Sequence, residues 1–164
     1  MSPRRRRRSV LGAAAAALVA SLVLPSRTTA ATTVTTRLPR PVSLADEIDR
    51  ALQLRKALVL MVSLDGCPYC KLVRESYLAP LRADGQPVVQ IELAQAFPLL
   101  DSAGRASTHA QVVSGLCVRV APTVLFLGRA GAEVAARLVG VANADFYGAY
   151  LSEKVEAANR AVAI

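Results

Sequence analysis

The chain has 164 residues, 53% of them hydrophobic, with 4% aromatic and no Trp, which suits one domain with a core of Val, Leu, Ile and Ala. Its formal charge of +8 sits mostly at the front: Arg4 to Arg8 and Arg27 supply six of the twenty basic residues, and no Asp or Glu precedes Asp46. Past residue 30, fourteen basic side chains face twelve acidic ones, so no basic patch survives and a nucleic-acid partner is excluded.

Residues 1–30 have the three parts of an export signal. These are the basic Arg4 to Arg8, the apolar Val10 to Leu24, and small residues around Thr28-Thr29-Ala30-Ala31. The apolar part is fifteen residues, short of the roughly twenty that span a bilayer. The expectation is cleavage near Ala30 or Ala31 and a periplasmic mature protein, with an uncleaved anchor as the alternative. Arg7-Arg8-Ser9-Val10-Leu11 also resembles the twin-arginine signal of bacteria, so either export route stays open.

Residues 31–42, with threonines and prolines, read as an exposed linker into a domain over 43–164. Ser43 and Asp46 have capping-box spacing, and Leu44, Ile48, Ala51, Leu52 and Arg55 follow at helical steps. Ala57 to Ser63 is a continuous apolar run, as in a strand buried on both faces. A helix is predicted from Cys67 to about Leu81 through Cys70, Val73 and Tyr77, with Pro68 tolerated in its first turn. After a turn at Ala83-Asp84-Gly85-Gln86, Pro87 to Leu93 is the next strand.

Ala94 to Ser107 reads as a loop or small hairpin, and Ser107 or Thr108 caps a short helix to about Leu116. Val118 to Leu127 is a strand with Pro122 at its entrance, and Gly128-Arg129-Ala130-Gly131 turns it into an antiparallel partner, Glu133 to Val139. Asn143 caps a last helix with a stripe of Phe146, Tyr150, Leu151, Val155 and Ala158.

The chemistry concentrates in Asp65-Gly66-Cys67-Pro68-Tyr69-Cys70-Lys71. Two cysteines three apart at the start of a helix place their sulfurs on one turn, where they can join or part. Cys67 at the helix N-terminus is favoured as thiolate by exposed N–H groups and the helix dipole. A zinc site would need a second ligand pair, and Cys117 and His109 do not form one. A static bridge is the other alternative, although so small a loop gains little from chain entropy. Cys117 reads as a small buried apolar residue at a helix end, and His109 as a surface residue.

The order helix, strand, helix, strand, helix, strand, strand, helix, with C-P-Y-C opening the second helix, resembles the thioredoxin superfamily. Val120-Ala121-Pro122-Thr123 is similar to its cis-proline loop, and Leu138-Val139-Gly140 to the glycine that closes its last strand. The signal and the long segment after Leu93 resemble exported bacterial thioredoxins, including those of sulfur-oxidation systems. The resemblance implies an α/β thioredoxin fold, a central mixed sheet of about four strands with helices on both faces.

It also implies a thiol–disulfide oxidoreductase with Cys67 as nucleophile and Cys70 as resolving thiol. Tyr69, Ala121 and Pro122 would contact substrate. No metal or organic cofactor is implied. The partners would be disulfide- or thiol-bearing exported proteins and, for a reductase, a membrane electron donor.

Two departures stand out: Gly66 replaces the family's Trp, and Met61 replaces its buried Asp. The proton of Cys70 must then pass to Glu75 or to water. A glutathione-dependent, glutaredoxin-like reductase and a non-catalytic binding module with a static disulfide are the alternative functions.

Overall fold

The computed structural model describes residues 37–163. Residues 1–30, read as an export signal, and residues 31–36 of the segment read as a linker lie outside the described residues.

The first helix, α1 (Leu44–Gln53), begins where Ser43 accepts a hydrogen bond from the Asp46 N–H at 3.2 Å. That side-chain oxygen satisfies one of the orphan donors of the first turn. Strand β1 (Leu58–Ser63) is buried along its whole length. It pairs in parallel with β2 (Val88–Glu92) and antiparallel with β5 (Thr123–Leu127), which in turn carries β6 (Glu133–Val139) antiparallel on its outer edge. The result is a mixed four-stranded sheet of order β2-β1-β5-β6.

Alternation along β1 divides the core into two layers, because successive side chains leave a strand on opposite faces. Val59 and Met61 join Val124 and Phe126 beneath α2 (Pro68–Val73) and α5 (Ala144–Val162). Leu58, Leu60 and Val62 join Leu125 and Leu127 beneath α1 and α4 (His109–Gly115). Helices therefore cover both faces, which is why β1 has no polar face to show in its sequence.

The segment read as an exposed linker is docked in its described part. Leu38 and Pro41 are buried, the Gln90 N–H donates to the Pro39 carbonyl at 2.9 Å, and the Leu100 N–H donates to that of Val42 at 2.8 Å. The segment thus takes one hydrogen bond from the otherwise open edge of β2 and one from Leu100 further along the chain.

The motif-bearing helix is not one regular helix to Leu81. Residues Arg74–Leu78 form a π turn before α3 (Ala79–Ala83). Pro80 lacks the N–H that would close an ordinary turn, and the helix accommodates it by widening rather than stopping. The inserted residue shifts the apolar face, so Leu78 rather than Tyr77 is the fully buried side chain.

Ala94 to Ser107 contains a small antiparallel hairpin, β3 (Pro98–Leu100) and β4 (Ala106–Thr108). The hairpin comes within close reach of the turn after β5. A Cβ on Gly131, whose φ is +76°, would stand 2.5 Å from the Ser102 Cβ, so only glycine fits there.

Three further expectations are corrected. His109 is buried, not at the surface: its Nδ1 accepts the Glu92 N–H at 3.0 Å, and Phe97 packs edge-on against its ring. Burial pushes its pKa down, which keeps the ring a neutral acceptor.

Cys117 is exposed, not buried. It occupies the left-handed position, φ 55°, just past α4, where the Val118 N–H closes back on the Val113 carbonyl at 3.1 Å and its own N–H on that of Ser114 at 3.0 Å. This is the Schellman ending, and its reversal of the chain buries Val118 against Val113 while turning the intervening residue outward.

The buried stripe of α5 is Tyr147, Leu151, Val155 and Ala158; Phe146 and Tyr150 face outward. The i and i+4 pairs 146/150 and 147/151 are equally apolar in sequence, and only packing distinguishes them.

Candidate active site

The sheet register sets the site. Val62 lies opposite both Ile91 and Thr123, and Thr123 lies opposite Val139. The exit of β1 therefore shares one end of the sheet with the entrance of β5 and the exit of β6. Residues 64–67 leave this end and start α2. Gly66 makes the turn with φ +71°, a conformation other side chains rarely take. The place where a thioredoxin carries Trp is thus a backbone position that favours glycine, although a Cβ there would meet no other atom within 4 Å.

Cys67 is the N-cap of α2 and is part-exposed. Its Sγ accepts the Cys70 N–H at 3.1 Å, and Pro68 follows in the first turn. A sulfur here sits at the positive end of the helix, among N–H groups with no partner inside it.

Cys70 is fully buried, in an apolar cluster with Met61, Val73, Leu78 and Tyr147. Burial, together with its hydrogen bond to the Cys67 sulfur, pushes the Cys70 thiol up to about 11; hydrogen bonds from the Leu64 backbone and the Ser63 side chain pull the other way. The two cysteines thus differ in access, and the buried one holds its proton tightly.

On the other side of the motif, the Ala121–Pro122 bond is cis and Pro122 is buried. Ala121 packs against the same cluster that Cys67 flanks. The loop is fixed from both sides: the Thr123 hydroxyl donates to the Val120 carbonyl at 2.7 Å, and the Gly140 N–H donates to that of Pro122 at 2.7 Å. Tyr69 is 58% exposed beside the sulfurs. Cys67, Cys70, Tyr69, Ala121 and Pro122 therefore all belong to one end of the sheet.

Glu75 does not belong to the groups acting on Cys70. It lines an open polar cleft of about 470 Å³ with Asp65, Arg74 and Glu92. Two residues that do meet the Cys70 environment, Ser63 and Tyr147, were missed in the sequence. Ser63 ends an apolar run and reads as its polar terminus. Tyr147 was hidden by the neighbouring Phe146, which takes an equally good helical register.

A family model for the thioredoxin-like domain matches residues 44–154. The chain belongs to the thioredoxin-like family. Among solved structures it is similar to a thioredoxin from Nicotiana alata, at 20% identity over 73% of this chain and 96% of that one, with a TM-score of 0.48. It is also similar to the periplasmic thioredoxin SoxS of Paracoccus pantotrophus, at 22% identity over 63% of this chain and 99% of that one, with a TM-score of 0.43. A third is thioredoxin f2 of Chlamydomonas reinhardtii, at 20% identity over 69% and 94%, with a TM-score of 0.46. No curated protein matches the chain.

Thioredoxin-fold proteins work through their own cysteines and need no cofactor. Among the described residues of this thioredoxin-like chain, no cluster of His, Cys, Asp and Glu could hold a metal ion.

Proposed function

We propose that this thioredoxin-like protein is an exported, periplasmic thiol–disulfide oxidoreductase that reduces disulfides in other exported proteins. The observation that carries the reading is the asymmetry of the pair. Cys67 is accessible at a helix N-terminus, and Cys70 is buried behind it with its proton held tightly. Such a pair divides the labour of exchange between an attacking and a resolving thiol.

The Cys67 thiolate attacks one sulfur of the substrate disulfide, and the other leaves as a thiolate and takes a proton. Cys70 then gives up its proton and attacks the Cys67 sulfur. The bond to the substrate breaks, the second substrate sulfur is protonated, and a Cys67–Cys70 disulfide remains. A membrane donor of two electrons would restore the dithiol. Tyr69, Ala121 and Pro122 form the surface against which the substrate strand lies. Exposed Leu64, Val120, Val139 and Phe146 stand around the same end of the sheet and suit a protein rather than a small-molecule substrate.

The export signal read in residues 1–30 supports the compartment, and the resemblance to exported thioredoxins supports the direction. Insulin reduction driven by dithiothreitol tests the activity, and equilibration against a thiol buffer tests the direction. The expected result is turnover, with a reduction potential near the −270 mV or so of thioredoxin rather than the roughly −120 mV of a strong disulfide donor. A folded protein that reduces no insulin would favour a binding module with a static bridge. Activity that appears only with glutathione would favour the glutaredoxin-like alternative.

A further inference from the structure

Ser63 ends β1 and is the strand's one polar residue, yet it is as buried as the apolar residues before it, at 1% exposed. Burying a hydroxyl costs free energy unless a partner meets it. Side chains alternate along a strand, so Ser63 shares the face of Val59 and Met61, the face that packs with Cys70 beneath α2. There its side chain hydrogen-bonds the Cys70 sulfur, which the Leu64 backbone also meets. The backbone fixes both groups. Ser63 lies opposite Glu92 in the β1–β2 register, the Leu93 N–H donates to the Ser63 carbonyl at 2.7 Å, and the Cys67 N–H donates to that of Leu64 at 3.3 Å.

We infer that the Ser63 hydroxyl is the hydrogen-bond donor that stabilises the Cys70 thiolate while it resolves the mixed disulfide. The inference rests on the proposed exchange mechanism. A serine hydroxyl both donates and accepts, so it can meet the protonated Cys70 thiol in either sense. Once the Cys70 proton has passed to solvent, the sulfur is an acceptor only. Ser63 then donates to it beside the Leu64 N–H and keeps its own proton throughout. The electron pair of the thiolate forms the bond to the Cys67 sulfur. The bond from Cys67 to the substrate breaks, and the substrate sulfur leaves with its electrons and takes a proton.

The surroundings leave few competitors for this role. Burial and Cys67 hold the proton on Cys70, and only the Leu64 and Ser63 hydrogen bonds work against them. None of these groups is a carboxylate or a cation. Glu92, opposite Ser63 on β2, is engaged instead by the Gln90 Nε2 at 2.7 Å, while Tyr77 and Tyr147 join the cluster from the π turn and α5. With Met61 where the family's carboxylate would stand, Ser63 supplies a neutral donor, which stabilises the anion but takes no proton.

The test compares Ser63→Ala and Ser63→Thr on a Cys117→Ser background, which removes the exposed third thiol. Reduced protein is mixed with dithionitrobenzoate in a stopped-flow cell, so that the first coloured thiol released reports attack by Cys67 and the second reports resolution by Cys70. Losing one hydrogen bond to a charged acceptor lowers the thiolate population by about tenfold or more, and the more basic sulfur recovers roughly half of that, on a logarithmic scale, as nucleophilicity. Ser63→Ala should therefore leave the first release unchanged and slow the second by about three- to tenfold, and Ser63→Thr, which keeps the hydroxyl, should restore it. A second release at the parent rate in Ser63→Ala would overturn the inference. So would slowing that a folded Ser63→Thr shares in full, or equal slowing of both steps with a lowered melting temperature, which would assign Ser63 to packing. Failure of the Cys117→Ser parent itself to release a second equivalent would instead overturn the exchange mechanism.

Discussion

Cys67→Ser is expected to reduce insulin no faster than dithiothreitol alone, while melting at the parent temperature. The two halves of this result come from one position. Serine cannot supply a thiolate, so the first bond of the exchange never forms. Serine is, however, among the best helix N-caps, and its oxygen can take over the Cys70 N–H that the Cys67 sulfur now accepts at 3.1 Å. Activity and stability therefore separate, and a melting scan beside the insulin assay checks both. A variant that kept most of the parent rate would remove Cys67 from the mechanism.

The largest effect on stability is expected from Phe126→Ala. Phe126 is the largest fully buried side chain, on the central strand β5, and it packs with Val59, Met61 and Val124 beneath α2 and α5. Truncation should cost about 3–5 kcal/mol, the transfer term of the ring plus the cavity left behind. Urea denaturation of the parent and the variant measures this. A loss below about 1 kcal/mol would mean that the layer under α5 collapses to fill the gap.

The fold was readable because its elements carry their own punctuation. Ser43, Thr108 and Asn143 each cap the helix they announce, with a side-chain oxygen on an N–H two or three residues on. The unbroken apolar run of β1 could only be a strand covered on both sides. What escaped the sequence depends on packing between distant residues. The register of α5 turns on whether 146 or 147 meets the sheet, and both are aromatic. The burial of His109 depends on a backbone N–H on β2, and the exposure of Cys117 on a chain reversal that usually announces itself with glycine.

The site was legible for a different reason. A C-x-x-C before a helix states its chemistry locally, whereas the groups that modify it do not. Ser63 reaches Cys70 from a strand end and Tyr147 joins its cluster from the last helix, and neither has a motif. Met61 showed that the family's carboxylate is absent, but not what takes its place.

The account stands most directly on the division of labour between the two sulfurs, which trapping with Cys70→Ser measures. The full-length variant, expressed with residues 1–30 in place and recovered by acid quenching and alkylation, should carry partner proteins bound through Cys67 as mixed disulfides. These should dissociate on reduction and be absent from Cys67→Ser,Cys70→Ser. Recovery of a folded Cys70→Ser protein with no thiol-releasable partner, under conditions where the parent turns over, would contradict it.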